Sequence, residues 1–234
     1  RLSILDLSEA SHQPFHSENQ RYVLVFNGEI YNYLEIKKEL ENKYVFKTSS
    51  DTEVLLNAYL EWSEDCLDRF NGMFSFAIWD KEKGSFFAAR DRFGVKPFYY
   101  GFIEDSFVFA SEIPTLWEAG IPKETNDEVW ASFFAYGSYG MPDQTFWNGI
   151  DQLPGGHFMK IEKGEMHIEQ WYDFVERVKT LQTQKHEDEE TYIQELLNDA
   201  IQLRFRADVP VGFNLSGGLD SSTLLALVNH AFPN

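Results

Sequence analysis

The sequence predicts an α+β chain of antiparallel strands and packed helices, ending in the opening strand, turn and helix of an α/β unit. Three observations predict it. Helical spacing of apolar residues recurs twice before residue 63, and from Met73 the apolar residues fall into short β-rich runs between turn residues. Near residue 217 a Gly-Gly turn joins an apolar run to an apolar helix.

Residues 21–26 are β-rich and end at a turn at Asn27 and Gly28, after which Asn32 is placed to cap a helix with Tyr33, Ile36 and Leu40 on one face. Tyr44 to Lys47 reads as a short strand. Ser50 with Glu53 three residues on has the pattern of a capping box, and Leu55, Ala58, Tyr59 and Trp62 follow at helical spacing. The runs Met73–Trp79, Ser85–Ala89, Pro97–Gly101 and Phe107–Ala110 predict an antiparallel meander, and the Phe residues concentrated there read as sheet-face packing. Beyond Ile113 the pattern is irregular, with a helix over Asp127–Tyr136 and strands near His157–Ile161 and Glu165–Trp171. The polar stretch Glu176–Glu190 reads as a linker, dividing the chain into residues 1–175, 176–190 and 191–234. Past it, Ile193, Leu196, Leu197, Ala200 and Ile201 form a stripe able to pack on a sheet. Val209–Leu215 then reads as a strand, Ser216–Gly218 as a tight loop and Asp220–Asn229 as a helix.

Of the 234 residues 43% are hydrophobic and 25% charged, which excludes a disordered or fibrous chain and supplies one large core or two modest ones. No run of about 18 uncharged apolar residues occurs and Arg1–Asp6 lack a signal-peptide layout, so no membrane partner is expected and the chain reads as cytoplasmic. A single cysteine, Cys66, excludes an internal disulfide and a Cys-based zinc site. The net charge of −18 repels phosphate backbones, so nucleic acid is not expected as a partner. An anionic small molecule has to be held locally, by backbone N–H groups, a helix N-terminus, single Arg or Lys residues, or a metal ion. The chain starts at Arg1 rather than Met and stops at Asn234 just after an apolar helix, so both ends are expected to be cut from something longer.

Leu215, Ser216, Gly217, Gly218, Leu219, Asp220, Ser221 and Ser222 place two glycines and three hydroxyls where a strand turns into a helix. Glycines let the backbone approach a ligand, and free N–H groups at the positive end of a helix attract polyphosphate. No Gly-Lys-Ser or Gly-Lys-Thr occurs, so this is not a Walker A loop. Asp220 in the first turn would repel a phosphate unless Mg²⁺ lies between them. The same residues also suit a plain capped strand-to-helix turn. The string SGGLDSS resembles the pyrophosphate-binding loop of ATP pyrophosphatases. The resemblance implies ATP at Leu215, Ser216, Gly217, Gly218, Asp220, Ser221 and Ser222, with Mg²⁺ at Asp220.

A second candidate begins at Asn27. Asn-Gly occurs three times and is mostly a hairpin turn, but here Glu29 follows and a strand leads in. Asn27 and Gly28 can offer two donors to an oxyanion, as cleavage of an amide requires. Glu29 and Asp51 are acceptors suited to a substrate ammonium, and Arg1 can pair with a carboxylate. Taken singly, each reads first as something plainer: Glu29 as a solvated turn residue, Asp51 as a helix N-terminal residue favoured by the dipole, Arg1 as a surface end.

The order of motifs decides between these readings. RLSILD at 1–6, NGEIYN at 27–32, SDTEVLL at 50–56, FNGMFSFAIWD at 70–80, RDRFGVKPFYY at 90–100, FASEI at 109–113, LPGGH at 153–157 and the SGGLDSS loop resemble glutamine-dependent asparagine synthetase along essentially the whole chain. The resemblance implies a four-layer αββα glutaminase domain of the N-terminal-nucleophile hydrolase type, joined to the first βα unit of a PP-loop ATP pyrophosphatase domain. It implies glutamine, aspartate and ATP as substrates, a Mg²⁺-ATP-dependent carbon–nitrogen ligase, and a homodimer. By position, Arg1, Leu2, Ser3, Ile4 and Leu5 would hold the glutamine carboxylate and backbone, Asn27 and Gly28 the oxyanion, and Glu29 and Asp51 the α-ammonium.

Two departures stand out. The family's nucleophile is an N-terminal cysteine that uses its own amino group as base, and no such residue is present. Cys66 sits among Asp65 and Asp68, which favour thiol over thiolate, and reads as structural. The 234-residue chain is therefore expected not to hydrolyse glutamine. Gly155 stands where the family commonly has a second proline, which predicts a looser turn before His157, itself read as a turn residue. The rival readings are a β-lactam synthetase-like ligase and a non-catalytic module sensing glutamine or nucleotide.

Overall fold

The computed structural model describes residues 4–181 and 188–232. In chain order the strands are β1 (Phe15–His16), β2 (Tyr22–Ile30), β3 (Gly72–Asp80), β4 (Ser85–Arg90), β5 (Tyr99–Ile103), β6 (Ser106–Ala110), β7 (Ile150–Gln152), β8 (His157–Glu162) and β9 (Glu165–Gln170). The helices are α1 (Tyr33–Leu40), α2 (Asp51–Trp62), α3 (Cys66–Arg69), α4 (Ile113–Ala119), α5 (Asp127–Tyr136), α6 (Phe174–Thr180), α7 (Glu189–Arg204) and α8 (Leu219–Ala231).

Two antiparallel sheets form, one of six strands in the order β1-β2-β3-β4-β8-β9 and one of three in the order β6-β5-β7. Alternation along β2, β3 and β4 sorts their side chains onto two faces. Leu24, Phe26, Phe74, Phe76 and Phe87 pack with Ile36 of α1 and Leu55 and Ala58 of α2. Ala77, Phe86, Ala88 and Met159 meet Phe98 and Tyr100 across the space between the sheets. Beyond the smaller sheet, Leu116 of α4 packs with Ile121 and Ile150. The order of layers is helices, sheet, sheet, helix.

The four β-rich runs from Met73 do not form one meander. β3 pairs with β4 in the larger sheet, whereas β5 pairs with β6 in the smaller one. The crossing is made at Asp91, whose buried carboxylate accepts backbone N–H groups of Phe74, Phe93, Val95 and Lys96 and so folds the connecting loop back on itself. Residues 44–47 form no strand, nor do residues 209–215; a strand needs a neighbouring ladder, and none lies beside either segment among the described residues. Of the expected linker, residues up to Thr180 lie in α6 and residues from Glu189 in α7, while 182–187 fall outside the described residues. The α7 stripe is covered only at its C-terminal end. Ile201 is buried, whereas Ile193, Leu196 and Leu197 are exposed.

Candidate functional site

Asn27, Gly28 and Glu29 lie inside β2 rather than at a turn beyond it. β2 and β3 run antiparallel with Gly28 opposite Phe74, but the Phe74 carbonyl accepts from Asp91 N–H at 2.8 Å and the Phe74 N–H donates to Asp91 Oδ2 at 3.1 Å. Gly28 and Phe74 are therefore a non-hydrogen-bonded pair, and alternation turns the N–H groups of Phe26, Gly28 and Ile30 to the outer edge of the strand. Side chains take the flanking two: Phe26 N–H donates to Gln13 Oε1 at 2.7 Å and Ile30 N–H to Asp51 Oδ2 at 2.9 Å. β1 pairs only with Val23 and Leu24, so the Gly28 N–H lies past its end. Only glycine fits here, because a Cβ would stand 2.2 Å from the Met73 carbonyl oxygen and 2.7 Å from Phe74 Cα.

With a period of two, Asn27 and Glu29 share the face opposite to Gly28. Asn27 Nδ2 donates to Ser111 Oγ at 3.1 Å, beside a hollow of about 260 Å³ lined by Gln13, Ser75, Phe98 and Phe109. Glu29 is 4% exposed, and its Oε1 meets no hydrogen-bond partner among the described residues. Burial first, then the charge of Asp51, pushes the Glu29 carboxyl up to about 7, while Lys96 and Arg204 pull it back only in part. Asp51, the first residue of α2, is as buried as Glu29; burial raises it to about 6 against the opposing bonds from Ile30 and Thr52 N–H and the Ser50 hydroxyl. The site is a pair of buried acids with no cation bonded to either among the described residues, next to a strand-edge N–H and a side-chain amide. What it can hold is a compact group with N–H donors and positive charge, beside a group that accepts hydrogen bonds.

The α2 cap differs in detail from the capping box. Ser50 Oγ accepts from Thr52 N–H at 3.1 Å, but Glu53 reaches past Ser50 to the N–H groups of Lys47 and Thr48 and to the Thr48 hydroxyl. These bonds tie residues 47–52 together around Asp51. Asp6 Oδ2 accepts from Ser49 N–H at 2.9 Å, which brings Ile4, Leu5 and Asp6 against the same segment, with Leu5 buried in the core. Arg1, Leu2 and Ser3 lie outside the described residues.

At the phosphate loop, Gly217 takes φ +81°, a left-handed turn that favours glycine, and Gly218 caps α8. Ser216 Oγ and Ser221 Oγ lie 3.0 Å apart across the loop, and Leu215, Gly217, Gly218 and Asp220 are exposed. These residues fit a magnesium-bound phosphate chain: N–H groups at the start of a thirteen-residue helix, two hydroxyls and one exposed carboxylate. Ser222 N–H is already held by the Gly218 carbonyl at 3.1 Å. Among the described residues no cluster of three or more His, Cys, Asp or Glu side chains could hold a metal ion unaided.

Cys66 is fully buried, and burial with the nearby Glu64 and Asp65 pushes its thiol up, the surroundings of a packed structural thiol. His157 Nδ1 lies 2.8 Å from the Gly155 carbonyl oxygen, within its own turn. That turn is not loose. A Cβ on Gly155 would stand 2.7 Å from Gly94 N, so glycine lets the turn rest directly on the loop that Asp91 organises. Asp91, Gln13 and Ser111 build the site and were not singled out from the sequence. An acid just before a Phe-Gly turn was the available sign for Asp91; Gln13 and Ser111 carry no local one.

Residues 1–172 match the family model of the glutamine amidotransferase domain, and residues 192–233 match that of asparagine synthase. The chain belongs to the glutamine amidotransferase domain family. It is 38% identical over 231 residues to an asparagine synthetase (glutamine-hydrolyzing) 3 of Bacillus subtilis, covering 97% of this chain and 37% of that protein. It is 33% identical over 239 residues to the amidase chry2 of Gibberella zeae, covering 98% of this chain and 34% of that protein. The chain thus spans little more than a third of the length of these curated relatives. Among solved structures it resembles a glutamine phosphoribosylpyrophosphate amidotransferase from B. subtilis, with TM-score 0.47 and 25% identity over 68% of this chain and 32% of that one. No helix among the described residues is long and apolar enough to cross a membrane.

Proposed function

We propose that the chain is the ammonia-supplying part of a glutamine-dependent asparagine synthetase, together with the phosphate loop of its synthetase part. The observation that carries the reading is the buried Glu29–Asp51 pair, with Glu29 Oε1 unpartnered among the described residues, beside the edge N–H of Gly28. A free amino acid answers each feature: its α-ammonium suits the two acids, and a side-chain amide carbonyl, becoming an oxyanion under attack, suits the Gly28 N–H and Asn27 Nδ2. Arg1 to Leu5 would hold the α-carboxylate and backbone. The layered arrangement of helices and sheets is in keeping with an N-terminal-nucleophile hydrolase domain.

At the second site the exposed loop around Gly217 would bind the phosphates of ATP, with Asp220 as a ligand of Mg²⁺. Bound Mg²⁺ would screen phosphate charge and favour loss of pyrophosphate. In the complete protein, a cytoplasmic homodimer in this reading, ammonia released from glutamine would attack β-aspartyl-AMP to give asparagine and AMP. Calorimetry tests the first site: L-glutamine should bind and its N-acetyl derivative, which lacks the ammonium, should not. Pyrophosphate release by the full polypeptide that depends on aspartate tests the acceptor; release with aspartate omitted would refute it.

A further inference from the structure

The segment leading from α7 into the phosphate loop is tied to both walls of the acid pocket. Arg206 Nη1 donates to the Tyr31 carbonyl at 3.0 Å, and its guanidinium grips the Glu35 carboxylate with two bonds of 2.6 and 2.7 Å. Arg204 lies over the Tyr31 ring, 4.8 Å from its centroid. Tyr31 is two residues beyond Glu29, so these ties fix the strand that carries the first acid. Asp208 holds the other wall at two points. Its N–H donates to the Ile4 carbonyl at 3.0 Å, and its Oδ2 accepts from Asp6 N–H at 2.8 Å. Asp6 passes the hold onward, because its Oδ2 also accepts from Ser49 N–H at 2.9 Å and Ser49 Oγ at 3.2 Å, two residues before Asp51.

The bonds of Arg206 and Asp208 join residues more than 170 positions apart, so no local turn produces them. Glu35 and Asp208 are exposed, and water and salt screen their charges, so little net stability comes from either. What the arrangement supplies is direction: a planar fork on one wall and a paired donor and acceptor on the other.

We propose that Arg206 and Asp208 are positioning residues, which set the separation between the Glu29 strand and the Ile4–Asp6 and Ser49–Asp51 segments from the segment that continues into the phosphate loop. The proposal rests on reading the acid pair as an amino-acid site. Ser216 follows Asp208 by eight residues, roughly 26 Å of fully extended chain, so a pull at the loop reaches Asp208 first.

The test uses the full polypeptide that carries this chain, with Asp208→Ala, Asp208→Asn, Arg206→Gln and Arg206→Lys. Amide hydrogen exchange needs no ligand; Asp208→Ala should speed exchange at Asp6 and Ser49–Asp51 about tenfold, and Arg206→Gln should do so across Tyr31–Glu35. The affinity for L-glutamine should fall five- to tenfold in Asp208→Ala and stay near the parent value in Asp208→Asn, whose amide oxygen still accepts from Asp6. For glutamine hydrolysis KM should rise while kcat stays within about twofold, a split that general loss of structure does not give. Unchanged exchange in a folded Asp208→Ala overturns the proposal, and so does faster exchange with unmoved glutamine affinity. A parent that does not bind glutamine overturns the acid-pair reading instead, and the exchange pattern alone then decides the ties. If Asp208→Ala does not fold, Arg206→Lys, which keeps the charge and loses the fork, carries both measurements.

Discussion

Asp51 Oδ2 accepts the N–H of Ile30 at 2.9 Å, so the carboxylate that begins α2 also closes the outer edge of β2 one residue past Glu29. The bond and the charge can be separated. Asp51→Asn keeps an acceptor for Ile30 and removes the charge; at pH 4, where the folded acid is neutral, it should hold the stability of the parent within about 1 kcal/mol, while near pH 7.5 it should weaken glutamine binding by about 1.5–3 kcal/mol. Asp51→Ala strands the Ile30 N–H and should lower stability by about 1–3 kcal/mol. Urea unfolding and calorimetry read the two effects. Equal stability of the Asn and Ala variants would show that the bond contributes nothing.

The raised acids make stability fall as pH rises. Glu29 moves from 4.5 to about 7 and Asp51 from 3.8 to about 6 on folding. Between those limits the folded chain binds protons that the unfolded chain has released, so the linkage slope is negative from about pH 4 to pH 7 and flat above. Each group withdraws on the order of 2–3 kcal/mol by pH 8. Glu29→Gln should therefore melt higher than the parent at pH 8, match it at pH 4, and bind no glutamine. A variant less stable than the parent at pH 8 would refute the buried unpaired charge.

Ligand binding should run the opposite way. An ammonium favours the ionised acids, so glutamine affinity is expected to climb from pH 5 to about 7.5, and binding at pH 6 to release protons. The proton count follows from the dependence of the binding enthalpy on buffer ionisation heat. Proton uptake would mean that the ligand meets the acids in their neutral form.

Gly28→Ala tests the packing of the strand edge. The added Cβ meets backbone atoms of Met73 and Phe74, which cannot swing aside, so a loss of about 3 kcal/mol or more is expected. Gly84 is the control: its φ is +62° but no atom lies within 4 Å of a Cβ there, so Gly84→Ala should cost only about 1 kcal/mol of backbone strain.

Much of this was legible wherever the signal is local. Asn126 caps α5 through Val129 N–H, and that helix spans Asp127–Tyr136 as its spacing predicts. Ser50 likewise marks the start of α2. The division of β3 to β6 between two sheets was not legible, because hairpin signals name neighbours in the chain and Asp91 redirects the chain through bonds to Phe74, seventeen residues away. The outward N–H of Gly28 was hidden for the same reason: its direction depends on which groups occupy Phe74. Residues 209–215 misled because an apolar β-rich run predicts a strand, yet without a partner ladder it forms none.

Asp220 gives the phosphate loop a test that separates it from an ordinary capped turn. The residue is exposed at the start of α8, so Asp220→Asn should leave the melting temperature of the full polypeptide unchanged. A carboxylate there attracts Mg²⁺ and repels bare phosphate, and the two effects have opposite signs. Binding of ATP with Mg²⁺ should weaken about tenfold in Asp220→Asn, whereas the weak binding of ATP in the presence of a chelator should tighten. Gly217→Ala should weaken both, since a Cβ at φ +81° strains the turn by about 1–2 kcal/mol whatever the metal. If Asp220→Asn changed neither binding curve, the carboxylate would be a solvated residue of the first turn of α8, and the loop would need another ligand for the metal.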